Sequence, residues 1–207
     1  MKILLRLSLI LFISAAFGAS PSPQEALSRL LEGNQRYVND ELEHPNRTSE
    51  RREATLASQA PFAVIVGCSD SRVSPEIVFD QGIGDLFIVR VAGNVIGPLE
   101  LESIEYAAFV LKSVLILVLG HENCAVNAVV QGKTKEIPAL ALIIGPAVKG
   151  AKDHDPAGVL KAAIKANALH MKDLLLRSEK LGKLAKKKEI DIEAAYYNLE
   201  TGEVELL

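Results

Sequence analysis

Phe62-Ala63-Val64-Ile65-Val66-Gly67-Cys68-Ser69-Asp70-Ser71-Arg72-Val73 is the stretch on which the reading of this chain turns. Five apolar residues, rich in Val and Ile, run without a polar interruption and stop at a glycine. A strand wetted on one face alternates polar and apolar side chains, whereas one covered on both faces has no cause to. Residues 62–66 therefore predict a short inner strand, with Gly67 and Cys68 at its carboxyl end.

Two more runs of this kind follow. Leu86-Phe87-Ile88-Val89-Arg90-Val91 leads into Ala92-Gly93-Asn94, and Val114-Leu115-Ile116-Leu117-Val118-Leu119 leads into Gly120-His121. Residues 99–112 between them read as helix. Beyond them, Leu160, Ile164, Met171, Leu174 and Leu175 mark a long amphipathic segment, and residues 192–197 predict a last strand before a turn. Upstream, residues 24–37 predict a helix with Ala26, Leu27, Leu30 and Leu31 apolar, and residues 40–48 a loop. Ser49 is expected to cap a short helix reaching Gln59, with Pro61 ending it. Strands alternating with helices define an α/β fold: a largely parallel, or mixed, central sheet flanked by helices. With 207 residues, no internal repeat and no low-complexity linker, one domain is the simplest account.

Two of these strands end in soft metal ligands, Cys68 and His121, and Cys124 lies three residues beyond His121. Open α/β sheets place their chemistry beyond the carboxyl ends of the strands. A helix is expected to begin at Asn123, so that His121 and Cys124 share its first turn and reach one ion. A metal and a helix N-terminus both favour thiolate. Three protein donors suit catalytic rather than structural zinc, which keeps a fourth position for water or substrate. Zinc brings the pKa of water down to about 7 in favourable cases. Two thiolates leave more negative charge on the metal than three imidazoles, so activity is expected to rise at alkaline pH. Asp70 and Arg72 follow Cys68 at alternate positions, which on an extended turn share its face. Arg72 is expected to fork onto Asp70 and keep it ionised. The plainer account of two cysteines in an exported chain is a disulfide. It leaves His121, Asp70 and Arg72 without a role. His44, His154 and His170 have no partner at ligand spacing.

Lys2 and Arg6, the apolar run 7–17 and the small residues Gly18, Ala19 and Ser20 have the pattern of a secretory signal peptide. Eleven residues are too few to cross a hydrocarbon core of about 30 Å. Residues 1–19 are thus expected to be removed, leaving 20–207 as an exported zinc-binding domain, with the periplasm as its destination and no stable membrane insertion. Removal leaves 21 bases against 26 acids, and the net charge goes from −3 to −5. That balance, with 5% aromatic residues, argues against nucleic-acid binding. Lys183, Lys186, Lys187 and Lys188 are placed on the solvated end of the last helix, where cations suit the dipole. Gly82, Gly84 and Gly93 do not form a nucleotide-binding glycine loop.

Cys68-Ser69-Asp70-Ser71-Arg72-Val73, then Arg90-Val91-Ala92-Gly93-Asn94, then Gly120-His121-x-x-Cys124 resemble, in that order, the β-class carbonic anhydrases. The likeness runs from the helix near Gln24 to Ala195-Tyr196-Tyr197-Asn198-Leu199-Glu200-Thr201-Gly202. It implies that family's fold, one zinc ion per chain on Cys68, His121 and Cys124, and reversible hydration of carbon dioxide to bicarbonate and a proton. It assigns to Asp70 and Arg72 the dyad that orients the attacking hydroxide, with Asp70 able to occupy the metal in a closed state. It matches Gln81 to a glutamine that lines the pocket from the neighbouring subunit, and Tyr106 to a pocket-wall tyrosine. It further implies a homodimer or a multiple of dimers, the N-terminal helix lying over the partner. With no tryptophan in the chain, the allosteric bicarbonate pocket of one subgroup is not expected. Ala125 stands where the resemblance calls for a substrate-facing glycine, and Glu102 stands near another usual glycine. A methyl at 125 is expected to crowd bicarbonate or turn Cys124. Two rival readings share the ligands: the same fold acting on carbonyl sulfide or carbon disulfide, and a zinc-holding relative without turnover.

Overall fold

The computed structural model describes residues 20–151 and 155–207. The expected signal segment 1–19 and His154 lie outside the described residues. α1 (Pro23–Val38) opens on a capping box, in which Ser22 and Glu25 each satisfy the other's backbone amide. α2 (Ser49–Ala54) is capped by Thr48 rather than Ser49 and ends well before Gln59. The Thr55 hydroxyl closes it early by donating to the Arg51 and Arg52 carbonyls.

β1 (Ala63–Gly67), α3 (Pro75–Val78), β2 (Leu86–Arg90), a 3-10 turn (Ala92–Asn94), α4 (Pro98–Phe109) and β3 (Leu115–His121) follow. Next come α5 (Ala125–Val130), α6 (Pro138–Gly150), α7 (Pro156–Arg177), α8 (Glu179–Lys186), β4 (Asp191–Tyr197) and β5 (Val204–Leu206). The sheet order is β2-β1-β3-β4-β5. The first four strands are parallel, and β5 pairs antiparallel with β4. The expected α/β architecture is present. The short edge strand β5 was not foreseen, because 204–206 carries too few residues for a periodic signal.

In β1 and β3 the uninterrupted apolar runs have the cause inferred for them, whereas β2 lies at the sheet edge and only its Val89 is buried. Val64, Val66, Ile116, Val118, Ile192 and Ala194 face a layer containing Ile104, Ile144, Ile164, Met171 and Leu175. Ala63, Ile65, Leu115, Leu117 and Ala195 face the other way, against Ala26, Leu30, Val78 and Phe79. Each fully buried aliphatic side chain contributes about 1.5–3 kcal/mol, so both layers matter to stability. β1 sends its connection to β2 on one side, whereas β3 sends its connection to β4 on the other. The chain directions therefore diverge between the carboxyl ends of β1 and β3, where such sheets form a crevice.

α1 is locked to the far end of the chain by one buried amide. Asn34 donates to the Val78 carbonyl (3.1 Å) and the Gly202 carbonyl (2.8 Å), and accepts from the Val204 amide (2.9 Å). At Gly33 a Cβ would lie 1.9 Å from the Phe79 carbonyl oxygen, so only glycine permits this approach. Among the described residues no helix is long and apolar enough to cross a membrane. Asn34→Ala should cost about 2–4 kcal/mol, because it strands two carbonyls and an amide. Urea denaturation of the variant checks this; a loss below half a kcal/mol would mean water replaces the lost bonds.

Candidate metal centre

Cys68 follows directly on β1, and its sulfur accepts a hydrogen bond from the Gly93 amide at 3.3 Å. The loop that carries it is held by Arg90 at the end of β2. The Arg90 guanidinium donates through Nε to the Cys68 carbonyl (2.8 Å) and through Nη2 to the Asp70 carbonyl (2.6 Å). The backbone then turns: the Val73 amide donates to the Asp70 carbonyl at 3.1 Å. Arg72 thus reaches Asp70 by a turn and not by the extended alternation expected of it. The fork itself is as foreseen. Arg72 Nε donates to Asp70 Oδ1 (3.0 Å), Nη2 to Oδ2 (2.7 Å), and the Arg72 amide to Oδ1 (2.9 Å).

His121 is the last residue of β3 and has no exposed surface. Asp70 Oδ2 lies 4.0 Å from its Nε2, too long for a hydrogen bond. Neither ring nitrogen has a hydrogen-bond partner among the described residues. Cys124 is the N-cap of α5, which begins at Ala125 and not at Asn123. The reason is local: Asn123 has φ +53°, a left-handed conformation that no helix continues. His121 and Cys124 are therefore separated by a tight turn instead of one helical turn. Glu122 pins that turn, accepting from the Tyr196 hydroxyl (2.9 Å) and the Leu199 amide (2.7 Å).

The two thiols are free, not joined in a disulfide, and differ electrostatically. Burial opposes ionisation of Cys68, but the neighbouring His121 and the amides of Gly93 and Asp70 outweigh it, leaving the thiol below its ordinary value. Cys124 is pushed up to about 11, first by burial, with the nearby Cys68 adding to the rise. The helix start does not overcome that burial. Bonds from the Arg72 side chain, against the opposing effect of burial, hold the Asp70 carboxyl well below the usual carboxylate range.

Among the described residues no group of three His, Cys, Asp or Glu side chains is already drawn in tightly enough to hold an ion. The donor set nevertheless fits one. A buried imidazole with both nitrogens unmet costs about 1–3 kcal/mol for each unsatisfied group. Beside it are two buried thiols, 4% and 8% exposed. Soft sulfur with imidazole is the donor chemistry that zinc takes.

Of the remaining expected residues, Ala125 is at this centre, its methyl packed toward Gly93. A Cβ at Gly93 would meet that methyl at 3.2 Å and Ile144 Cδ1 at 2.9 Å. Gly93 also has φ +74°, so the position is doubly closed to a side chain. Gln81 and Tyr106 lie elsewhere within this chain. Gln81 is buried and donates to the Phe79 carbonyl at 2.8 Å, leaving Oε1 without a partner. Tyr106 is 47% exposed on α4, beside Phe87. Arg90, Glu122, Asn94 and Asn167 carry structural roles at the centre that the motifs alone did not disclose. Asn94 and Asn167 are buried next to or bonded to Gly93, and both keep amide atoms without a partner.

A sequence profile of the carbonic anhydrase family matches residues 63–204. The chain belongs to this family, in its β class. Carbonic anhydrase 2 of Mycobacterium tuberculosis is 53% identical over 108 residues, an alignment covering 52% of each chain. The chain thus spans about half the length of the curated relatives it matches. A Coccomyxa β-carbonic anhydrase solved in complex with acetazolamide is 26% identical, with a TM-score of 0.68 over 87% of this chain and 86% of that one. The β-carbonic anhydrase CcaA shares the fold at a TM-score of 0.69 and 23% identity, over 87% of this chain and 94% of its own.

The folded pKa of Asp70 lies below its unfolded value. Its contribution to stability is therefore complete above about pH 4 and is lost as pH falls through the lower, folded value. Arg72→Ala should move the Asp70 carboxyl up toward about 4, as read by carbon-13 NMR titration. A titration that does not move would show that the fork is not the cause.

Proposed function

We propose that this chain is a zinc-dependent carbonic anhydrase that interconverts carbon dioxide with bicarbonate and a proton. The observation that carries the reading is His121: a fully buried imidazole, unmet at both nitrogens, facing the fork-held carboxylate of Asp70 and beside the Cys68 sulfur. Cys68, His121 and Cys124 would hold one zinc. When bound, zinc supplies Lewis acidity, which makes hydroxide available at neutral pH.

The chain's own residues do the rest. Arg72 spends three donors on Asp70, so both carboxylate oxygens are committed in direction and the group stays ionised. An ionised acceptor orients a water or hydroxide by taking its hydrogen bond and does not give a proton back. Arg90 fixes the carbonyls on either side of that arrangement, so Cys68 and Asp70 keep their spacing. The Gly93–Ala125 contact accommodates the methyl at 125 by packing it against a glycine, which supports Ala125 as a tolerated wall of the site.

Under this reading the chain acts as a homodimer, in which Gln81 lines the pocket of the neighbouring subunit and Tyr106 forms a pocket wall. Supporting an interface there, Tyr106 shares an exposed face with Leu99 and Val110 on and beside α4. Carbon dioxide and bicarbonate are small enough that no larger cleft is required.

Stopped-flow hydration of carbon dioxide, with zinc quantified in the same sample, tests the proposal. Expected are one zinc per chain, a rate that rises toward alkaline pH, and a loss of about 10²-fold or more in Asp70→Asn. Zinc bound in full without hydration would sink the assignment and favour another substrate or a silent relative.

A further inference from the structure

The Gly93 amide donates to the Cys68 sulfur at 3.3 Å. Glycine at φ +74° is held by little of its own, having no side chain to wedge it. Two contacts fix the peptide that follows it. The Asn94 amide donates to the Val91 carbonyl at 2.8 Å. On the other side, Asn167 Nδ2 donates to the Gly93 carbonyl at 2.9 Å, in a fully buried bond.

Asn167 is out of keeping with its surroundings. It has no exposed surface on α7 and lies in a row with Ala163, Ile164, Ala168 and Met171, all buried. Burying an amide there costs free energy unless its groups are used. Its Oδ1 has no partner among the described residues, so the bond to Gly93 is the return on that cost. An apolar residue would pack this row better but would leave the Gly93 carbonyl buried and unmet. With that carbonyl free to turn toward another donor, the φ and ψ of Gly93, which relate its carbonyl to its amide, are no longer held from the α7 side.

We propose that Asn167 is a positioning residue for Cys68: from α7 it holds the Gly93 carbonyl, which aims the Gly93 amide at the sulfur and sets how firmly the site holds zinc. The inference rests on the zinc reading above. It places a determinant of the metal centre on a helix that contributes no ligand, about 100 residues from Cys68 in sequence. Outer-shell partners of metal ligands are commonly worth 10–100-fold in affinity.

The test uses the full chain, with Asn167→Ala and Asn167→Leu, neither of which can donate. Zinc affinity is read by competition with a chromophoric chelator. Cobalt(II) loading reports the sulfur-to-metal charge-transfer band, and thermal melting of the metal-free protein reports stability. Met171→Ala is the control, since it loosens the same helix without touching Gly93. Expected are about 10–100-fold weaker zinc binding and a shifted cobalt band in the Asn167 variants, with wild-type affinity and band in Met171→Ala despite its lower melting point. Wild-type affinity and band in either folded Asn167 variant would overturn the inference. Equal losses in Met171→Ala, or failure of both Asn167 variants to fold, would overturn it in favour of a purely structural role. A wild-type chain that takes up neither metal would overturn the zinc reading itself, and this inference with it.

Discussion

Arg90 is the residue on which the arrangement of the centre depends. β1 is buried on both faces, and beyond the buried Cys68 the chain turns out to the surface at Ser69 and Ser71. Backbone groups released from a ladder at such a point need partners. Arg90, from the end of the neighbouring parallel strand, meets the carbonyls of Cys68 and Asp70 with one planar guanidinium. A lysine could not span both with fixed geometry. Because the two carbonyls are two residues apart, the same contact sets the distance between the thiol and the carboxylate.

A second constraint comes from His121. Strand β3 delivers a buried imidazole whose ring nitrogens have no hydrogen-bond partner among the described residues, beside a thiol that it helps to ionise and a carboxylate it does not quite reach. Arg72 occupies the carboxylate instead. Asp70 is thereby held 4.0 Å from His121 Nε2, beyond hydrogen-bond reach. Cys124 shows the opposite balance, its thiol made harder to ionise by burial. The centre therefore has one thiol eased toward ionisation by its neighbours and one held back from it by burial.

The scaffold closes around these residues from both ends of the chain. Asn34 joins α1 to the turn before β5, and Glu122 joins the ligand-bearing turn to the end of β4 and the residue beyond it. The C-terminal segment thus braces the N-terminal helix on one side of the sheet and the His121–Cys124 turn at its carboxyl edge.

Much of this was legible in the residues themselves. Uninterrupted Val-rich and Ile-rich runs bounded by glycine fit strands of a covered sheet, and ligands placed just after parallel strands gather at its carboxyl edge. Hence the sequence by itself determined the α/β class, the parallel pairing and the candidacy of Cys68, Asp70, Arg72, His121 and Cys124. It misled where local conformation departed from periodicity: the left-handed Asn123 delayed α5, and the turn at residues 70–73 replaced an extended segment. Only the tertiary structure decided that Arg90 clamps the Cys68 loop, that Glu122 braces the ligand turn, and that Gly93 makes room for Ala125. It alone brought Asn167 to the Gly93 carbonyl, and it set Gln81 and Tyr106 apart from the centre within a single chain. The physical reason is common to all of these. Strand and helix periodicity is a local property, whereas a hydrogen bond between residues far apart in sequence exists only once the layers have packed.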